Sequence, residues 1–296
     1  MSVRDNIREA KRSHIIVGTP GRVNNIIDRN AFKMKHIKAL VLDEADALLG
    51  SDFRDQIKSI LMKLEEDAQI CIYSATIDNE TLELAENFIE DPLIVTMNED
   101  KLNLDLIQQF KIEMNCDDDK LPTLFDLYGQ LTITQAVIFA NSINRAKVIY
   151  DAMREEGFEV GLIHGHMSSE ERVNTLASFR RAEFRVLLAT DVIARGIDVQ
   201  QIGLVFNYDL PKERKTYLHR IGRSGRFKKK GIAINFVVRY NDRRGRDRRN
   251  RRNNISDYEK LDNITSHYKN TIHHMPRPDK INEILMGTEV DITRNK

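Results

Sequence analysis

The sequence predicts an α/β protein with two parallel-sheet lobes in tandem, the first of them incomplete, and three observations carry this. Short β-branched apolar runs alternate with amphipathic stretches of helical length, which is the signature of βαβ units. The alternation restarts after the polar stretch "NEDKLNLDLIQQ" near residues 97–108. The length of 296 residues exceeds one average domain and suits two lobes of about 100–200 residues, each able to bury its own core.

In order, the runs "HIIVGTP", "IKALVLDEAD", "QICIYSAT" and "PLIVTM" read as strands of the first lobe. The stretches "FRDQIKSILMKL" and "NETLELAENFI" between them read as helices, because their apolar residues recur at three- and four-residue steps. In the second lobe "QAVIFAN", "VGLIHG", "RVLLATD", "LVFNYDL" and "GIAINFV" repeat the pattern. Runs apolar at consecutive positions fit strands buried on both faces of a parallel sheet. The expected layout is a first lobe over 1–97, a linker over 98–108, and a second lobe over 109–296 carrying an arginine-rich insert at 239–252.

Composition narrows the class. Hydrophobic residues make up 41% of the chain, as in a globular protein, and no apolar run approaches the roughly 20 residues that a spanning helix needs. The start "MSVRDNIREAKR" lacks the apolar stretch of a secretory signal, so a soluble, cytoplasmic protein with no membrane partner is expected. Cys71 and Cys116 lie in unrelated settings and read as reduced thiols. Basic and acidic side chains nearly cancel, 46 against 45, so no global charge draws the chain to nucleic acid. The segment "RYNDRRGRDRRNRR" is locally different, with eight arginines against two aspartates. It reads either as a solvated loop or as a phosphate-attracting tract.

Ligands of open α/β sheets gather past the carboxyl ends of the strands, and the polar motifs fall there. "TPGR" follows "IIVG", "DEAD" follows "LVL", "SAT" follows "CIY" and "TDVIARGID" follows "VLLA". An acidic pair at a strand end can hold a hydrated Mg²⁺ and orient water toward a phosphate, since magnesium prefers oxygen ligands and keeps several waters. The alternative for Asp43 or Asp46 singly is an acid favoured at a helix N-terminus. "HRIGRSGR" spaces Arg220, Arg223 and Arg226 at three-residue steps with glycines between, a pattern expected to project guanidiniums from one helical face. The histidine pairs His164/His166 and His273/His274 invite a metal reading, but neither has a third ligand at usable spacing, and loop or surface histidines are favoured.

With "TPGR", "DEAD", "SAT", "ARGID" and "HRIGRSGR" in this order, the chain resembles the DEAD-box ATP-dependent RNA helicases of superfamily two. The segments "LTITQAVIF", "ARGIDVQQI", "NYDLPKERKTYLHRIGRSGRF" and "KKGIAINF" resemble the translation initiation factor four-A branch in particular. The resemblance runs from about residue 3 to about residue 286 and implies two RecA-like domains, ATP and Mg²⁺ as cofactors, RNA as a sequence-tolerant partner, and translation-initiation scaffold proteins as further partners. By position it implies that Asp43 holds magnesium through water and that Glu44 positions or activates the attacking water. Asp46, Ser74, Thr76 and His219 would couple the motifs. Gly196 and Asp198 would contact the nucleotide, and Arg223 and Arg226 would act as arginine fingers, which are worth about 10³–10⁵ in rate. Thr19, Gly21 and Arg22 from one lobe, and Asn141 within Phe139-Ala140-Asn141-Ser142, Arg172 and Thr190 from the other, would hold the RNA backbone. Contacts of that kind carry no sequence information.

Departures are informative too. Ser169 stands where the family's initiation-factor branch has glutamine, Ser142 replaces a threonine while keeping its hydroxyl, and the arginine run replaces a shorter mixed-charge connection. No G-x-x-x-x-G-K-[ST] loop occurs, and the chain has no Gly-Lys dipeptide. That loop supplies backbone N–H groups and a lysine to the phosphates. In the family it lies upstream of the DEAD motif, further than 42 residues reach, so the sequence reads as a helicase that begins partway through its first domain. Three function classes follow: an ATP-dependent RNA helicase whose amino-terminal part lies outside this chain, a catalytically inactive RNA- or protein-binding remnant, and a competitor for scaffold partners that needs only the second lobe.

Overall fold

The computed structural model describes residues 2–49, 53–74, 79–95, 107–132, 135–191, 202–224, 231–239 and 256–286. The chain divides into two units, Met1–Thr96 and Met97–Lys296.

In the first unit, strands β1 (Ala39–Leu42) and β2 (Gln69–Ile72) pair in parallel with Ala39 opposite Gln69 and Leu42 opposite Ile72. Around them lie helices α1 (Val3–Ala10), α2 (Pro20–Asp28), α3 (Ala45–Leu49), α4 (Arg54–Leu61) and α5 (Asn79–Phe88). Proline at the first position of α2 fits a helix start, where its missing N–H has no intrahelical partner to lose. Leu42, Ala45, Ile57 and Leu61 form the core of this sheet, with Leu40, Ile70, Ile72 and Phe88 packed at its edge.

Two runs read from the sequence as strands do not pair. Residues 15–17 and 92–95 carry no strand hydrogen bonding among the described residues. Most of their apolar side chains face solvent, with Val17 at 93% and Leu93 at 91% exposure, while Ile16 packs against the cluster of Ala10, Ile26 and Ala31. β-Branched composition creates a strand only where a neighbour supplies the ladder and the apolar cover. Among the described residues neither run has a ladder partner.

The second unit carries a seven-stranded parallel sheet in the order β5-β6-β4-β7-β8-β3-β9. Its strands are β3 (Ile107–Met114), β4 (Ala136–Phe139), β5 (Val160–Ile163), β6 (Val186–Ala189), β7 (Leu204–Asn207), β8 (Gly231–Val238) and β9 (His273–His274). All residues of β4, β6, β7 and β8 are buried, as their largely apolar runs demand, Asn207 and Asn235 included. Alternate side chains go to opposite faces. Ile138, Leu188, Phe206 and Ile234 pack under α6 (Lys120–Gln130), α7 (Ile143–Glu155) and α11 (Pro278–Leu285). On the other face, Val137, Leu187 and Val205 lie with Phe179 of α8 (Ser169–Arg180). Ala233 and Val237 lie there with α9 (Arg214–Ile221) and α10 (Asp257–Tyr268). The result is a three-layer α/β/α unit.

Strand β3 begins at Ile107, inside the stretch expected to be linker, and lies between β8 and β9. "IQQFKIEM" alternates polar and apolar residues and therefore lacks the continuous apolar run of its neighbours. Its polar Gln109 is nevertheless 2% exposed. At Gly161 on β5 the ring of Phe184 lies so close that any Cβ would collide with it. Glycine is therefore the residue this strand position can hold.

Candidate functional site

The acidic motif of the first unit sits at the strand ends. Asp43 follows β1 directly and is exposed, and the Glu44 N–H donates to Asp43 Oδ1 at 2.9 Å. Glu44 adopts φ 53°, in the left-handed region that costs a non-glycine residue about 1–2 kcal/mol. The ladder between β1 and β2 continues through this turn: the Tyr73 N–H donates to Leu42 O at 2.8 Å and the Ala45 N–H to Tyr73 O at 3.0 Å. One residue on, the Asp46 N–H donates to Ser74 Oγ at 3.2 Å, joining positions 28 apart in sequence. The structure thus brings Asp43, Glu44, Asp46 and Ser74 to one strand-end corner. Thr76 lies outside the described residues.

This corner fits a magnesium site reached through water. Asp43 presents an oxygen donor at an exposed strand end, the donor type a hard cation takes. In the same unit, exposed Thr19 caps α2 with its backbone alone. Gly21 lies against Gln56 of α4, where an added Cβ would stand 2.9 Å from Gln56 Oε1. Arg22 is exposed.

In the second unit the arginine motif does not present one helical face. Helix α9 ends at Ile221 with Gly222 as its C-cap, so Arg220 and Arg223 do not share a helical surface. Arg220 points inward and is fully buried. Its Nε donates to Asp191 Oδ1 at 2.6 Å, Nη1 to Asn207 Oδ1 at 3.2 Å and to Asp209 O at 2.7 Å, and Nη2 to Asn141 Oδ1 at 2.8 Å. Its guanidinium also lies 5.2 Å from the centroid of the Phe139 ring. Arg223 is 8% exposed, with Nε donating to the His219 carbonyl at 3.2 Å. His219 is buried on α9. Arg226, Gly196 and Asp198 lie outside the described residues, as does the arginine run from residue 240 to 252.

A polar chain extends from Arg220 through the core. Asn207 Nδ2 donates to Asn235 Oδ1 at 2.9 Å, Asn235 Nδ2 to Phe110 O at 2.9 Å and to Tyr217 OH at 3.1 Å, and Tyr217 OH to Gln109 Oε1 at 2.8 Å. Burial pushes the Tyr217 phenol well above its ordinary pKa, so this hydroxyl remains a neutral donor. These residues were not singled out in the sequence. Asparagines interrupting the apolar runs "LVFNYDL" and "GIAINFV" were the available signal, since polar groups at such positions must find partners.

Asn141 is held at both ends of its amide, accepting from Arg220 and donating to Leu210 O at 2.9 Å, while the residue remains exposed. Its N–H donates to Asp209 Oδ2 at 3.2 Å. Asp209 also receives Lys120 Nζ at 3.0 Å, and Arg145 lies 2.6 Å from Asp117 and 3.5 Å from Asp209. The neighbouring Lys120 and Arg145 cations hold the Asp117 carboxyl below its usual range, against the opposing effect of its burial. Thr190 follows β6, is 5% exposed, and its Oγ1 has no hydrogen-bond partner among the described residues. Arg172 on α8 has its Nε buried in the same condition, with Nη2 donating to Ser169 Oγ at 3.5 Å.

The His164 and His166 rings meet edge to face at 6.3 Å, and His274 lies 3.9 Å from Glu113. Among the described residues no cluster of three or more His, Cys, Asp or Glu side chains could hold a metal ion, and both cysteines are free. Among the described residues no helix is long and apolar enough to cross a membrane.

Comparison with known proteins gives the family and the fold. Residues 1–85 match the family described as DEAD/DEAH box helicase, and residues 119–228 match the helicase conserved C-terminal domain. Eukaryotic initiation factor 4A of Caenorhabditis elegans is 43% identical over 93% of this chain and 65% of its own length. The ATP-dependent RNA helicase FAL1 of Chaetomium globosum is 48% identical over 76% of this chain and 57% of its own length. The chain therefore spans less than two thirds of these relatives. Among solved structures, S. cerevisiae Dbp5 bound to RNA and ADP BeF3 superposes with a TM-score of 0.81 at 31% identity, covering 93% of this chain and 69% of that one. A DEAD box protein from the hyperthermophile Methanococcus jannaschii gives a TM-score of 0.52 at 31% identity, covering 93% of this chain and 70% of that one.

Proposed function

Because the chain belongs to the DEAD-box helicase family, we propose that it forms the greater part of an ATP-dependent RNA helicase of the initiation factor 4A type, remodelling short RNA duplexes. The observation that carries the reading is the strand-end corner of the first unit, where the Asp46 N–H meets Ser74 Oγ beside Asp43 and Glu44. A magnesium ion held through water by Asp43 would neutralise charge on the transferring phosphoryl. Glu44, held in its left-handed turn, would orient the attacking water. Arg223 and Arg226 would stabilise charge developing on the phosphate, and Gly196 and Asp198 would contact the nucleotide. Asp46, Ser74, Thr76 and His219 would couple the motifs. Thr19, Gly21, Arg22, Asn141, Arg172 and Thr190 would hold RNA by its backbone, with the amide of Asn141 acting from its fixed position. Scaffold proteins of translation initiation and a cytoplasmic location belong to the same reading. The division of labour is a first domain over 1–97, a linker over 98–108 and a second domain over 109–296 with its arginine-rich insert.

A second reading is favoured by one specific observation. The 296 residues contain no Gly-Lys dipeptide and hence no phosphate-binding loop of the G-x-x-x-x-G-K-[ST] type. On that reading the chain binds RNA or a scaffold protein without turnover. Phosphate release with and without single-stranded RNA separates the two. The isolated chain should show no RNA-stimulated hydrolysis, whereas the same chain joined to an upstream segment bearing that loop should hydrolyse ATP and lose turnover on Glu44→Gln or Arg223→Ala. RNA-stimulated turnover by the isolated chain, abolished by Glu44→Gln, would refute the requirement for the loop. A joined protein that binds RNA and never hydrolyses ATP would leave the binding module as the answer.

A further inference from the structure

Three polar atoms in the second unit are buried and lack partners among the described residues: His164 Nδ1 and Thr190 Oγ1 at strand ends, and Arg172 Nε in the first turn of α8. The sheet register places two of them side by side. Ile163 pairs with Ala189, so His164 and Thr190 are the next residues on adjacent strand ends, where neighbouring strands lie about 4.8 Å apart. His164 is 8% and Thr190 5% exposed. Arg172 stands on α8, which packs on β5 and starts from the Ser168 cap four residues after His164. Buried polar atoms are nearly always satisfied by protein, water or ligand, so the adjoining His164 and Thr190 atoms, with Arg172 Nε on the helix that follows β5, are the groups that an added hydrogen-bonding ligand would meet.

We propose that His164 joins Arg172 and Thr190 in one phosphate-holding subsite, and that RNA binding there is coupled to uptake of a proton from solvent by the His164 imidazole. This rests on the RNA-binding reading above, in which Arg172 and Thr190 already serve the RNA backbone. The new element is the histidine and the proton.

The surroundings explain why the proton would arrive with the phosphate. The groups facing His164 are Lys147 of α7, His166 in its own loop, and Glu171 of α8, with Arg172 on the same helix. Burial is the main influence that lowers the His164 pKa, and Lys147 and His166 add to it. Glu171 acts the other way, but its carboxylate is committed to the Ser168 N–H at 2.7 Å as the helix cap. The ring therefore faces the Lys147 cation, and the carboxylate beside it is already engaged in the helix cap. A phosphodiester supplies an anion and an acceptor for an imidazolium N–H, which reverses the balance toward the charged form. Affinity should then rise as pH falls through the range where histidine titrates.

The test measures binding of a fluorescein-labelled oligouridylate to the full 296-residue chain by anisotropy, from pH 5.5 to 8.0 at constant ionic strength. Affinity should be several-fold higher at pH 5.5 than at pH 8.0, approaching the tenfold limit that a one-unit pKa rise on binding sets. His164→Gln should flatten the profile to within about twofold, and His166→Gln should keep it. An unchanged pH dependence in His164→Gln, or a flat profile in the unaltered protein, overturns the proposal. Should His164→Gln fail to fold, imidazole NMR of the unaltered protein decides the matter. The His164 midpoint should rise by about one pH unit on RNA saturation, and an unmoved midpoint overturns it. No RNA binding at any pH would bring down the RNA-binding reading itself, and this inference with it.

Discussion

Arg220→Ala tests the buried centre of the second unit. The side chain is fully buried and makes four hydrogen bonds, to Asp191, Asn207, the Asp209 carbonyl and Asn141. Truncation leaves the acceptors without their donor and opens a cavity where the guanidinium lay. Removing one partner of a fully buried charge pair costs about 3–5 kcal/mol. The Asp191 side chain is 42% exposed and can rehydrate. A loss at the lower end, about 3 kcal/mol, is therefore expected, carried mainly by the buried Asn207 and the acceptors on Asp209 and Asn141. For a unit of this length each kcal/mol lowers Tm by about 2–4 °C, so a fall of roughly 10 °C is expected. Arg220→Lys should recover part of it, since an ammonium can meet Asp191 but cannot reproduce the planar fork that reaches Asn141 and Asn207 together. Thermal unfolding followed by tyrosine emission suits the question. The chain has no tryptophan, and of its eight tyrosines only Tyr73 lies in the first unit. A transition in Arg220→Ala within about 2 °C of the unaltered protein would refute the assignment of Arg220 as the structural arginine of its motif.

Three further outcomes follow from the same structure. The first unit pairs two strands and exposes Ile15, Val17, Leu93 and Val95, so limited proteolysis should nick residues 1–97 before 110–296, and the reverse order would contradict this. Eight arginines within residues 239–252 should steepen the salt dependence of RNA binding by about 0.7 in log–log slope per phosphate neutralised on a single strand. Deleting residues 241–252 should therefore weaken binding at low salt and flatten that slope, and an unchanged slope would return the segment to a solvated loop. Glu113 is held down to about 2, foremost by the hydrogen bond from Lys111. Its folded pKa lies below the ordinary 4.5, so its stabilisation is complete above about pH 4.5 and is lost as pH falls toward 2. With solvent screening at this partly open position the effect is about 1 kcal/mol. Glu113→Gln should lower stability at pH 7 and erase that part of the acid sensitivity, read from urea midpoints at pH 7 and pH 3.

Periodicity and motif order in the sequence determined the α/β class, the strands at 39–42, 69–72, 136–139, 160–163, 186–189, 204–207 and 231–238, and the helices at 54–61 and 79–88. These could be read because a strand buried on both faces has to be apolar at consecutive positions, and an amphipathic helix has to repeat every three to four residues. They also placed the acidic motif at a strand end. Tertiary structure decided what depends on neighbours distant in sequence. Residues 15–17 and 92–95 have the composition of strands and no ladder to join, whereas "IQQFKIEM" has a weaker pattern and became β3 because β8 and β9 flank it. The two arginines three residues apart in "HRIGR" look equivalent in sequence. Helix α9 ending at Gly222 separates them, and Asp191, Asn207 and Asn141, brought in from three other segments, make Arg220 the one that the core holds. Pairings such as Asp46 with Ser74 or His164 beside Thr190 arise from strand register, which is fixed by packing across the whole sheet rather than by the residues on either side of each position.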